Sequence, residues 1–209
     1  IRTWFDWPHY KTWSESPEDE AANLNNYQGS GYADFYLYRL AETYLLRAEA
    51  NYYLGNIEEA TADVNAIRKR AKCKILYSKV DIDNIVDERA RELYMEEWRF
   101  TELSRISYSL ALSGKPDNEG KTYDINKLHE DSFWWHRICK YNNYYNKPDA
   151  PIVKGRKYTM GRHNINWPIP QSAIDANLLG ELSQNPGYDG YNPSVEKWKT
   201  WEEAVADEQ

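Results

Sequence analysis

The sequence has few of the residues that mark several common protein classes. Its 209 residues include only two cysteines, Cys73 and Cys139, which form either one disulfide or two free thiols but no disulfide scaffold. Its apolar runs stay well short of the about 18 residues that read as a membrane-spanning helix. The four histidines lack metal-ligand spacing, and neither GxSxG nor HExxH occurs. We therefore expect no metal site, no cofactor and no transmembrane helix.

The chain also lacks an excess of positive charge. It has 26 Lys and Arg against 33 Asp and Glu, a net charge of -7, which argues against nucleic acid as the main partner. What it has in quantity is amphipathic aromatic residues, with 18 Tyr and 9 Trp against 4 Phe. Such rings have a flat apolar face and a polar edge, which suits sugar binding and equally suits loops anchored to a core. Composition leaves both roles open.

Two helices joined by a tight turn are predicted between Tyr38 and Ala71. Apolar residues recur there at three- and four-residue spacings. Gly55 supplies the residue that ends a helix in the left-handed conformation. The predicted apolar faces consist of Leu37, Ala41, Tyr44, Leu45, Ala48 and Tyr52 in the first helix and Ile57, Ala60, Val64, Ile67 and Ala71 in the second. The hairpin resembles a tetratricopeptide unit, which needs neighbouring helices to cover its apolar face.

Three more helices are predicted after the hairpin. They cover residues 82–107, 131–141 and about 173–177. Asp81 or Asp83 is placed to cap the first of them, and Ser172 to cap the last. The segment Tyr158–Trp167 is predicted to be extended, and two prolines after it exclude regular helix.

The predicted fold class is therefore mostly α, with a tetratricopeptide-like hairpin packed against further helices and long ordered loops. Residues 1–36 are predicted to form an aromatic-rich loop region, and residues 37–188 a helical domain. Residues 189–209 are predicted to form a tail whose Trp198, Trp201 and Val205 are spaced for a docking helix.

Three glutamates, Glu88, Glu92 and Glu96, recur at four-residue spacing. Carboxylates can act as catalytic acids and bases, so an enzyme hypothesis would use Glu92 and Glu96 or Asp131. Four arginines, Arg89, Arg91, Arg99 and Arg105, lie on the same predicted helix, and this favours a ladder of ion pairs. We expect the ion pairs and no catalysis.

Three separated blocks of the sequence share one family pattern. The first is RLAETYLLRAEA with LGNIEEATADVNAIRKRA, residues 39–71. The second is ERARELYMEEWRFTELSR, residues 88–105, and the third is WPIPQSAIDAN followed by QNPGY, residues 167–188. In this order the blocks resemble the SusD/RagB family of outer-membrane nutrient-binding lipoproteins. Two residues depart from the family pattern: Glu97 stands where glycine is usual, and Ala173 where an acidic residue is usual.

The resemblance implies that the chain is the C-terminal portion of a longer, lipid-anchored protein at the cell surface of the outer membrane. Such a protein would capture a glycan, or a peptide in some members, for a SusC-like TonB-dependent transporter. A protein-interaction scaffold without its own small ligand is the alternative. The candidate ligand-binding residues are Trp4, Trp7, Trp13, Trp134 and Trp135.

Overall fold

The computed structural model describes residues 37–142, 145–147, 152–153, 155–178, 180–195, 202–203 and 206. The predicted loop region 1–36 and most of the predicted docking helix lie outside these residues. The chain forms two compact units, Ile1–Glu102 and Leu103–Gln209. Helices dominate the described residues, which confirms the mostly α fold class. None of these helices has the length and apolar character needed to cross a membrane.

The first unit is built on the predicted helical hairpin. Its helices are α1 (Leu40–Leu54), α2 (Ile57–Arg70) and α3 (Ile82–Glu92), and α4 (Arg99–Ser113) begins in it. At Gly55, just after α1, φ is 88° and the amide donates to the carbonyl oxygens of Asn51 and Tyr52. Because a side chain is strained at that φ, glycine allows the chain to reverse there within two residues.

The hairpin buries one face of each helix, and α3 contacts both of the other two helices. The buried apolar residues are Ala41, Leu45, Ala48 and Tyr52 in α1, Ala60, Val64 and Ile67 in α2, and Ile82, Ile85 and Val86 in α3. The sequence predicts that Leu37 and Ala71 belong to the apolar faces, but both are exposed. Both residues lie outside the helices.

The predicted single helix over residues 82–107 is wrong, because α3 ends at Glu92 and α4 begins at Arg99. Between them Met95 has a φ of 64°, which lies outside the helical region. Arg39 donates to the carbonyl oxygen of Glu92 at 2.5 Å and pairs with the carboxylates of Glu92 and Glu96. A side chain from before α1 thus satisfies a carbonyl that a continuous helix would have used.

The second unit contains short elements joined by ordered loops. They are α5 (Phe133–Tyr141), α6 (Gln171–Ala176), the 3₁₀ turns Ile125–Lys127 and Arg162–Ile165, and the paired antiparallel strands β1 (Ile152–Val153) and β2 (Arg156–Lys157). The core of this unit consists of Leu103, Ile106, Leu110, Tyr123, Leu128, Phe133, Trp134 and Ile165. The predicted helix near 131–141 is confirmed, and Ser132 caps it by accepting a hydrogen bond from the amide of Trp135.

Two local predictions in the second unit need correction. The segment from Tyr158 to Trp167 is not extended throughout, because a 3₁₀ turn interrupts it at Arg162–Ile165. Ser172 does not cap α6, since the helix begins one residue earlier, directly after Pro170. Both cysteines are free thiols, which decides between the two alternatives left open by the sequence. Burial raises the pKa of the Cys139 thiol.

Candidate functional site

Two of the five predicted ligand-binding tryptophans lie among the described residues. Trp4, Trp7 and Trp13 lie outside them. Trp134 is completely buried, and its amide donates to Ser107 Oγ at 2.7 Å. A ring without an exposed face cannot stack on a ligand, so the prediction for Trp134 is corrected to a core side chain. Its neighbour Trp135 is partly exposed and remains a candidate.

Trp135 lies beside a positively charged side chain. The guanidinium carbon of Arg162 is 5.6 Å from the centroid of the Trp135 ring, within the range of a cation–π interaction. Arg162 Nη1 also donates to the carbonyl oxygen of Glu130 at 2.9 Å. Because these two contacts orient the guanidinium, the ring is presented together with a fixed hydrogen-bond donor. Such a pairing of an aromatic ring with a polar group suits a hydroxyl-rich ligand.

Asp131 is the centre of a network of polar contacts that includes Arg162. Lys121 Nζ lies 2.6 Å from Asp131 Oδ2, and His136 Nε2 lies 2.7 Å from Asp131 Oδ1. Lys121 Nζ is also 2.9 Å from His136 Nε2, and Arg162 Nη1 is 3.6 Å from Asp131 Oδ1. We call these five side chains, Lys121, Asp131, Trp135, His136 and Arg162, the Trp135 surface.

The Asp131 carboxylate is held in its charged form. Partial burial disfavours the charge, but the hydrogen bonds from Lys121 and His136 and the electrostatic interactions with both side chains outweigh burial and lower the pKa of Asp131. A catalytic acid requires a raised pKa, so Asp131 is not suited to act as the acid in the enzyme hypothesis.

Replacing Asp131 with asparagine should make the free energy of unfolding depend less on pH in the acid range. A carboxyl group whose pKa is lowered on folding stabilises the protein above the ordinary aspartate pKa of about 3.9, and this contribution is lost as pH falls towards the lower folded value. Because the side chain is about one-third exposed, Asp131→Asn should cost less than about 1 kcal/mol at pH 7. Urea unfolding at pH 7 and pH 3 measures the cost of Asp131→Asn at each pH. The control is Asp189→Asn, at an exposed position. A cost for Asp131→Asn that is equal at the two pH values would contradict the prediction.

The glutamate ladder forms ion pairs, largely with arginines from other segments of the first unit. Glu92 pairs with Arg39 and with Arg70, whose Nη2 lies 2.6 Å from Glu92 Oε1. Glu88 Oε2 lies 2.7 Å from Arg68 Nη1, and Arg91 of the same helix binds the same oxygen. These carboxylates therefore link α3 to α2 and to the start of α1 instead of facing a substrate. The described residues also contain no cluster of three His, Cys, Asp or Glu side chains that could hold a metal ion.

Sequence reasoning missed two residues of functional interest in the second unit. Arg162 completes the Trp135 surface, although it lies far from Trp135 in the chain and no local motif marks it. Trp167 appeared only as the first residue of a family motif, yet its side chain is 66% exposed. The available signal was Pro168, which follows Trp167 and disfavours a helix, so that the ring had to be carried by a loop.

Comparison with known proteins gives one family match and one similar protein of known name. A model of the SusD family matches residues 2–188 of the chain. The starch-binding protein SusD of Bacteroides thetaiotaomicron is 34% identical over 155 residues, which cover 74% of this chain. The matched region amounts to 22% of the length of that relative, so the chain spans less than a quarter of it.

Proposed function

Because the chain belongs to the SusD family, we propose that it is part of a protein that captures a nutrient glycan without cleaving it. The family match over residues 2–188 carries this proposal, and the similarity to a relative named for starch binding supports a carbohydrate ligand. The complete protein would be a lipoprotein of the outer membrane, exposed at the cell surface. It would deliver its ligand to a SusC-like TonB-dependent transporter.

The Trp135 surface supports this proposal chemically. It combines the ring of Trp135 with the guanidinium of Arg162, the ammonium of Lys121 and the carboxylate of Asp131. A sugar has apolar faces made of C–H groups and a rim of hydroxyls that both donate and accept hydrogen bonds. An aromatic ring beside fixed donors and acceptors therefore matches both parts of a sugar.

Titration calorimetry with the intact protein tests the proposal. The panel contains starch, xylan, mannan, galactan and a mixed peptide digest, and each glycan is also incubated to detect new reducing ends. We expect saturable binding to at least one glycan and no new reducing ends. Binding to the peptides alone would replace the glycan with a peptide ligand. Binding to none of them, combined with co-purification of a transporter, would support the scaffold alternative.

Replacing Trp135 with alanine should weaken binding of the recognised glycan roughly two- to tenfold, because a stacked ring contributes about 0.5–1.5 kcal/mol. Trp135→Phe keeps a ring and should retain most of the affinity. Trp98 of the first unit is 83% exposed and provides the matched control, since Trp98→Ala removes an exposed indole elsewhere. Calorimetry measures the three affinities. If Trp135→Ala and Trp98→Ala bind as the unaltered protein does, Trp135 is not part of the site.

A further inference from the structure

We propose that Trp167 forms a second aromatic platform, on which the apolar face of a neutral sugar ring stacks. This inference rests on the proposed function, and it names a site that shares no residue with the Trp135 surface. Trp167 is 66% exposed although it is one of the largest apolar side chains of the protein. An exposed indole on a rigidly held loop offers a flat apolar face on which a sugar ring can stack.

Three consecutive carbonyl groups hold the backbone that carries Trp167. Ser104 Oγ donates to the carbonyl oxygen of Ile165 at 2.9 Å. The Tyr188 hydroxyl donates to that of Asn166 at 2.8 Å, and Asn185 Nδ2 donates to that of Trp167 at 2.7 Å. Each carbonyl thus has its own side-chain donor, and none of these donors is a neighbour of Trp167 in the sequence. These three hydrogen bonds hold the backbone on both sides of the Trp167 side chain in a fixed position.

The residues after Trp167 are fixed as firmly. The buried side chain of Gln184 accepts a hydrogen bond from the amide of Ile169 at 2.7 Å and donates to its carbonyl oxygen at 2.9 Å. Pro168 and Pro170 flank Ile169 and restrict φ on both sides of it. The loop is therefore ordered before any ligand arrives, and binding does not incur the entropy cost of ordering it.

The rim of the platform is polar. The Tyr108 hydroxyl donates to Asn166 Oδ1 at 3.0 Å, and Tyr108 is itself partly exposed. Asn166 directly precedes Trp167 in the loop, and the Asn185 amide donates to the Trp167 carbonyl oxygen. Amide and hydroxyl groups beside an exposed ring match the hydroxyl groups of a sugar, whereas the centre of a protein–protein interface is typically more apolar. None of these rim groups carries a formal charge, which favours a neutral sugar over a charged one.

Three variants of the intact protein test this inference: Trp167→Ala, Trp167→Phe and the control Trp98→Ala. Each is titrated with the starch, xylan, mannan and galactan panel after its thermal unfolding has been compared with that of the unaltered protein. We expect Trp167→Ala to weaken binding roughly two- to tenfold at an unchanged unfolding temperature. Trp167→Phe should retain most of the affinity, and Trp98→Ala should bind normally.

The outcomes separate this inference from the function on which it rests. If the unaltered protein binds a glycan and Trp167→Ala binds it equally well, the second platform is wrong while glycan capture stands. Unchanged glycan affinity together with lost co-purification of a transporter would make Trp167 a protein contact, which also overturns the inference. If the unaltered protein binds no glycan of the panel, both proposals fail together.

Discussion

Replacing Arg89 with methionine is expected to lower the free energy of unfolding of the intact protein by about 3–5 kcal/mol. The Arg89 side chain is completely buried, although it carries a charge. Its Nε lies 2.8 Å from Glu97 Oε2, and its Nη2 lies 3.0 Å from Glu102 Oε2. Methionine fills a similar volume but leaves the buried Glu97 carboxylate without its main partner, and a stranded buried charge is costly.

Urea unfolding of Arg89→Met and Arg91→Met provides the matched comparison. Arg91 lies on the same helix and pairs with Glu88 at 2.7 Å, but its side chain is 50% exposed. Solvent screens such a pair, so Arg91→Met should cost no more than about 1 kcal/mol. Equal losses of unfolding free energy in the two variants would show that burial does not increase the contribution of the Arg89 ion pairs to stability.

A double variant tests whether the stranded carboxylate causes the loss. Arg89→Met combined with Glu97→Gln removes both charges of the closest pair, so it should be less destabilised than Arg89→Met alone. If the two losses simply add, the cost of Arg89→Met comes from packing and not from the charge left at Glu97.

The helical hairpin could be predicted because its determinants are local. Apolar residues three and four positions apart, a glycine at the turn and charges ordered along the helix are all visible within 34 residues, from Tyr38 to Ala71. The structure places α1 and α2 within a few residues of these expectations. Similar signals located α5, where Ser132 acts as the cap.

The break between α3 and α4 could not be predicted because its cause is remote in the sequence. The apolar periodicity runs on past Glu92, but Arg39 reaches the carbonyl and carboxylate of Glu92 from a position 53 residues away. The unusual glutamate at position 97 was visible in the sequence, whereas its role was not. Glu97 lies in the break, where its carboxylate pairs with Arg89 from α3 and with Arg99 from α4.

The candidate site could be predicted only as far as its residue types. Trp134 and Trp135 are adjacent, yet one is fully buried and the other partly exposed. Successive residues of a helix point about 100° apart, so the packed face decides between them, and that face depends on contacts such as Ser107 with Trp134. Sequence also showed WPIP and QNPGY as two motifs of one family block. The structure shows that they bind each other, through Asn185 and Trp167 among others.

Replacing Gly187 with alanine is expected to cost about 2–4 kcal/mol of stability, because two penalties coincide there. Gly187 has a φ of 91°, a conformation that costs a residue with a side chain roughly 1 kcal/mol or more. A Cβ at this position would also lie 2.4 Å from Cβ of His163, and an atom so close to the backbone cannot swing away. Overpacking of this kind typically adds about 1–3 kcal/mol.

Gly190→Ala separates the two penalties. Gly190 has a similar φ of 87°, but a Cβ there would make only an ordinary contact, 3.9 Å from Cβ of Gln184. Gly190→Ala should therefore cost only the backbone part, about 1–2 kcal/mol, in the same urea titrations. Equal costs at the two positions would mean that His163 gives way without penalty. Because His163 packs against the ring of Tyr188, whose hydroxyl holds the carbonyl of Asn166, Gly187→Ala should also weaken any binding at Trp167. Gly190→Ala should leave that binding unchanged.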